Sequence, residues 1–169
     1  MQALEELSAD LGYALQAKGW QLALAESCTG GMVAEAVTAV AGSSAWFDRG
    51  FVTYSNEAKV DMLGVPTELI QVHGAVSEQV AKAMAIGALQ HSRAQISSSV
   101  TGIAGPTGGS LQKPVGTVCF GWAIRGLPEK STKLIVETRH FDGNRAYIRQ
   151  QAASYVLTGL LNLIETAGD

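Results

Sequence analysis

The short apolar run Trp20 to Ala25 passes straight into Glu26-Ser27-Cys28-Thr29-Gly30-Gly31, and a helical pattern rich in small residues follows from about Met32 to Val40. A run this short, bounded by turn residues, reads as a buried strand, and the paired glycines open the helix behind it. A strand that feeds directly into a helix is the unit from which α/β domains are built.

The rest of the chain continues the alternation. Leu4, Leu7, Leu11, Ala14 and Leu15 recur at helical spacing, and Gly19 stops that pattern. Phe47 to Tyr54 carries the Phe, Val, Thr and Tyr of a strand. Asn56 is a plausible N-cap for a short helix holding Lys59 and Leu63, and Pro66 begins another turn or short helix. Ser77 caps a helix that runs to about Ser92, and Gln95 to Val100 is β-like and feeds the Gly/Pro-rich run Thr101 to Gly116. Thr117–Ile124 and Ser131–Phe141 read as a hairpin across Arg125-Gly126-Leu127-Pro128, with Asp142 capping a last helix of about Asn144 to Thr166. The pattern predicts an α/β fold, a single three-layer α/β/α domain with a mixed β-sheet, over residues 1–169.

Composition narrows the classes of function. With 47% apolar and 16% charged residues over 169 positions, the chain can bury one sizeable core and does not read as disordered. The net charge is −3 and the 12 Lys and Arg are scattered, so the basic face of a nucleic-acid binder is not expected. Cys28 and Cys119 make neither a metal-ligand spacing nor a disulfide framework. Met1 to Lys18 does not read as a signal peptide, and no segment has the length of a membrane span. A soluble, cytoplasmic protein with no membrane partner is the expectation.

In α/β folds the loops at the carboxyl ends of strands form the ligand crevice. Two such loops stand out, Ala25 to Gly31 and Thr101 to Gly116. Their glycines let backbone approach a ligand, and helix N-terminal N–H groups attract anions such as phosphate. The first loop sets a hydroxyl, a thiol and a second hydroxyl in a row at Ser27, Cys28 and Thr29. A hydroxyl nucleophile needs a base, and the pattern leaves its identity open. His73 sits in a loop, His91 near a helix end and His140 in a strand. Lys59 qualifies if burial lowers its pKa, and is otherwise a solvated helix lysine. Glu26 fits a base, an orienter or a solvated carboxylate. Asp48, Arg49 and Arg145 read, taken alone, as caps or surface charges.

Five segments in order, LAESCTGG, VTYSNEAK, HGAVSE, TGIAGPTGG and KPVGTV, resemble the C-terminal domain family of the competence/damage-inducible protein CinA. The resemblance runs from about Leu7 to Leu163. The molybdopterin-binding-like domain that precedes this one in full-length CinA has no counterpart in these residues. Stand-alone members of the family are nicotinamide-nucleotide amidohydrolases. The resemblance therefore implies hydrolysis of the carboxamide of nicotinamide mononucleotide to nicotinate mononucleotide and ammonia, in pyridine nucleotide recycling, with no metal and no cofactor. It places the nucleophile at Ser27, the family's lysine at Lys59 and its tyrosine at Tyr54, through whose side chain the proton could pass. Backbone N–H groups along Cys28, Thr29, Gly30 and Gly31, or from the second loop, are then expected to hold the oxyanion. The ribose phosphate is expected against Thr101 to Pro106, with Thr101, Gly102, Ala104 and Gly105 as contacts, and against the helix start after Gly30, with Arg145 as its cationic contact. Thr107 stands where the family varies. The alternatives are a catalytically inactive nucleotide-binding paralogue and an amidohydrolase for another nucleotide. The expected partner is the small-molecule nucleotide, and a homodimer is expected from the frequency of two-fold dimers alone.

Overall fold

Leu22 and Leu24 point to one side of the first strand, Ala23 and Ala25 to the other, and all four are buried. That alternation of large and small residues decides how the two faces of the sheet are covered. The computed structural model describes residues 3–126 and 131–167. Its elements run α1 (Leu4–Lys18), β1 (Leu22–Glu26), α2 (Met32–Thr38), β2 (Phe47–Val52), α3 (Asn56–Leu63), α4 (Thr67–His73), α5 (Glu78–Gln90), β3 (Ile96–Gly102), β4 (Thr117–Ile124), β5 (Lys133–His140) and α6 (Arg145–Thr166). The strand order is β2-β1-β3-β4-β5, with β2, β1 and β3 parallel and β4 and β5 antiparallel, so the sheet is mixed as predicted.

On the large-residue face, Leu7, Leu11 and Leu15 of α1 and Ile148, Val156 and Leu157 of α6 pack with Leu22, Leu24, Phe120 and Trp122. On the other face, Val80, Met84 and Ala88 of α5 pack with Ala23, Ala25 and Ala123. Small residues let α5 come down close. Ser97 and Ser99 donate to the α5 carbonyls of Ala85 and Ala81 at 2.7 and 2.5 Å. A Cβ on Gly121 would stand 2.7 Å from the same Ala81 carbonyl. Ser97 and Ser99 of β3 are thus satisfied by a helix backbone pressed onto the sheet and Ser98 by Gly121 O of β4 at 3.0 Å, which is why a buried strand can carry them.

Several boundaries differ from the sequence reading. Ser55, not Asn56, caps α3, its Oγ accepting from Ala58 N at 3.0 Å, and Asn56 becomes the first helical residue. Asn144, not Asp142, caps α6, accepting from Tyr147 N at 2.9 Å. Ser77 caps α5 as predicted. Thr101 and Gly102 belong to β3 and not to the loop, because β4 pairs with them through Cys119 and Val118. The hairpin of β4 and β5 forms, while Leu127 and Pro128 of its expected turn lie outside the described residues.

Candidate active site

Strand β1 leads to β2 on one side and, after the return crossing, has β3 on its other side. A crevice opens at such a switch point, beyond the carboxyl ends of the parallel strands. Ser27 stands at that place. Its N–H donates to Val100 O at 3.0 Å, carrying the β1–β3 ladder one residue past Glu26. The chain then turns, Gly30 N donating to Ser27 O at 3.0 Å. Gly30 and Gly31 have φ of +58° and +104°, which glycine adopts without the strain of a Cβ.

Glu26 is what the turn closes upon. Its carboxylate is 1% exposed and accepts from Thr29 Oγ1 at 2.6 Å and from Val33 N and Ala34 N at 3.0 Å each. It caps α2 from outside the helix and matches the positive end of its dipole. This settles Glu26 as neither solvated nor available as a base. It also corrects the expected phosphate seat at the start of α2, since a protein carboxylate already holds those N–H groups.

Lys59 reaches Ser27 from the other side. Its side chain is 1% exposed, and Nζ donates to Ser27 Oγ at 3.0 Å, Thr53 O at 2.9 Å and Tyr54 O at 3.3 Å. No carboxylate is among these partners. Burial away from water disfavours the ammonium and lowers the Lys59 pKa. The reading of Lys59 as a solvated helix lysine is overturned.

Tyr54 meets this pair through its backbone carbonyl, which also lies 3.5 Å from Ser27 Oγ. Its phenol points elsewhere, is reached by Arg145 Nη2 at 3.2 Å, and belongs to a 61% exposed side chain. The phenol therefore does not bridge Ser27 and Lys59, which are in direct contact. Arg145 Nη1 also donates to Gly105 O at 2.8 Å, so it ties Tyr54 to the second loop. The Cys28 thiol is pushed up to about 12 by burial, so it stays protonated at neutral pH and is a poor nucleophile.

A cavity of about 300 Å³ opens over Ser27 and Lys59. Of the residues expected to hold substrate, Cys28, Thr101, Gly102, Ala104, Gly105 and Arg145 line it. Thr29, Gly30 and Gly31 do not, because they fold around Glu26 and α2. The sequence reading missed Asn56, Ala75 and Val76 in the wall, while Ile103 falls within the stretch Thr101 to Pro106 that it assigned to the ligand. Ala75 and Val76 lie in the HGAVSE segment, whose position the family pattern marked without giving it a task. His73, His91 and His140 are not in the wall, and the His73 carbonyl instead accepts from Lys113 Nζ at 2.6 Å. Among the described residues no cluster of three or more His, Cys, Asp or Glu side chains is placed to hold a metal ion, and no helix is long and apolar enough to cross a membrane.

Comparison with known proteins places this chain in a family. The nicotinamide-nucleotide amidohydrolase PncC of Escherichia coli strain K12 is 53% identical over 93% of this chain and 92% of its own length. A putative competence-damage inducible protein of Symbiobacterium thermophilum is 52% identical over 90% of this chain, which spans 37% of that longer protein. The crystal structure of the competence damage-inducible protein A from Klebsiella pneumoniae superposes with a TM-score of 0.92 at 38% identity, covering 99% of this chain and all of the other. That of the competence/damage inducible protein CihA from Agrobacterium tumefaciens gives 0.87 at 45% identity, covering 96% and 99%. The family model for the CinA C-terminal domain matches residues 4–164, and the chain belongs to that family.

Proposed function

We propose that this chain hydrolyses the carboxamide of nicotinamide mononucleotide, with Ser27 as nucleophile and Lys59 as its base. The observation that carries the proposal is the buried Lys59 Nζ, 3.0 Å from Ser27 Oγ and without a carboxylate partner. The names of its half-identical relatives supply the substrate.

Two carbonyls, of Thr53 and Tyr54, fix two of the three positions on Nζ, and Ser27 Oγ faces the third. In the neutral amine that third position carries the lone pair. Nζ then accepts the Oγ proton as Oγ bonds to the carboxamide carbon, and the carbonyl π pair moves onto oxygen. Gly30 N–H is taken by Ser27 O, and those of Val33 and Ala34 by Glu26. Of the first-loop donors not so taken, that of Cys28 belongs to a residue in the cavity wall and is assigned to the oxyanion. Collapse breaks the C–N bond, and Lys59 returns the proton to the leaving nitrogen as ammonia departs. Water then gives a proton to Lys59 and attacks the acyl carbon. The Ser27 ester breaks, Oγ regains its proton, and nicotinate mononucleotide leaves. The phosphate is assigned to the second loop and Arg145. The chain acts in this scheme as one domain in the cytoplasm, within pyridine nucleotide recycling.

Ammonia release from nicotinamide mononucleotide tests the proposal. Ser27→Ala and Lys59→Met should each lose on the order of a thousandfold in kcat, and Cys28→Ala should keep most of it. Wild type that binds the nucleotide but releases no ammonia would make this a binding module. The pH profile has a definite sign. The working form of Lys59 is the unprotonated one, so kcat/KM rises with pH and levels off, with a midpoint below the roughly 10.4 of a free lysine. A rate that falls as pH rises through that range would remove Lys59 as the base.

A further inference from the structure

Arg149 stands one turn beyond Arg145 on α6. Its Nε donates to Cys28 O and its Nη2 to Thr29 O, each at 3.0 Å. One guanidinium therefore holds two successive carbonyls, those of the two residues that follow Ser27. Among the described residues it stands in no ion pair, and it is not in the cavity wall. The helix behind it is anchored, with Ile148, Ala152 and Ala153 at most 1% exposed.

A cation on neutral carbonyls makes charge-assisted hydrogen bonds, stronger than those between neutral groups. In a planar trans peptide the C=O and N–H point in opposite directions. With the Cys28 carbonyl aimed at Arg149, the Thr29 N–H of the same peptide is turned away from it. The pull on that carbonyl also polarises the peptide, which makes the N–H a better donor. Arg149 thus holds the backbone of the turn directly after Ser27 from outside the cavity wall.

We propose that Arg149 is a positioning residue for the reaction assigned above, setting and polarising the turn after Ser27 without touching substrate. It rests on the reading of Ser27 as nucleophile. Arg149→Met in the full chain, assayed on nicotinamide mononucleotide, should lose about a hundredfold in kcat with KM within about threefold of wild type. Guanidinium ion added at millimolar concentration should restore part of that kcat, and Arg149→Lys should fall between the two. A merely structural arginine would lower the melting temperature and leave the kcat of the folded fraction intact. Wild-type kcat in Arg149→Met, or a loss that guanidinium does not relieve, overturns the proposal. If Arg149→Met does not fold, Arg149→Lys decides by the same split, with reduced kcat at unchanged KM in support and wild-type kcat against. Ser27→Ala separates the two failures. If it stays active, the nucleophile assignment falls. If it is inactive while Arg149→Met turns over normally, only the role of Arg149 falls.

Discussion

Both loops at the carboxyl end of the sheet are rich in glycine, yet the one after β1 is closed upon itself and the one after β3 is open. In the first, Glu26, Ser27, Cys28 and Thr29 are all buried, and the Glu26 carboxylate, the Ser27 carbonyl and the Thr29 hydroxyl find their partners within the turn and the start of α2. In the second, Thr107 to Gln112 are exposed, and Leu111 is 98% exposed. The glycines serve different ends. Gly30 and Gly31 allow a left-handed turn that wraps a carboxylate. Gly109 lets the second loop double back, since a Cβ there would stand 2.9 Å from Val115 N. On the proposed function a nucleophile sits on the turn that is tied down, while the exposed rim opposite it is the part that can yield to a ligand. Similar composition therefore supports a fixed half and an adaptable half of one site.

The largest effect that could break this contrast is at Glu26. Glu26→Ala would leave Thr29 Oγ1, Val33 N and Ala34 N without their buried acceptor. Hydrogen bonds to charged groups are the stronger ones, so the loss should be about 3 kcal/mol or more in urea denaturation. Glu26→Gln keeps one acceptor oxygen and should lose less. A change within about 0.5 kcal/mol for the alanine variant would mean that the first loop is not held by its carboxylate.

A smaller effect of another kind is expected at Arg145, the tie between Tyr54 and the second loop. Arg145→Met removes the cation beside the cavity but touches neither Ser27 nor Lys59. KM for nicotinamide mononucleotide should rise about tenfold, equivalent to roughly 1.4 kcal/mol of binding, with kcat within about threefold. A loss confined to kcat would move Arg145 from the adaptable half to the fixed one.

The contrast also explains what could be read from the chain and what could not. The unit from Trp20 to Val40 is local, because a short apolar run, two glycines and a helical period suffice to place strand, turn and helix. The antiparallel end of the sheet was legible for the same reason, although Thr101 and Gly102 looked like loop until β4 was seen to pair with them. Lys59 was ambiguous because its burial is made by partners from two other places, the carbonyls at the end of β2 and a hydroxyl 32 residues away. Glu26 offered three roles until the turn brought Val33 and Ala34 back to it. Arg149 was invisible to motif reading because its partners are backbone carbonyls about 120 residues distant. The spacing of Arg145 and Arg149 by four on one helix was the only local sign of it.

The smallest expected effect bears most directly on the open half. Leu111 is an almost wholly exposed leucine on the second loop and adds no packing to the folded chain. Leu111→Ser should therefore leave stability within about 0.5 kcal/mol of wild type. If the loop stays open when nucleotide binds, KM and kcat will not change either. If it folds over the ligand, Leu111 has apolar surface to bury only in the bound state, and its loss raises KM while the unfolding transition stays where it was. Burying a leucine is worth about 1.5–3 kcal/mol, so closure would show as roughly a tenfold or greater rise in KM. Paired measurement of stability and KM on this one variant thus separates a rigid rim from a loop that closes, and only the second would make the adaptable half a moving part.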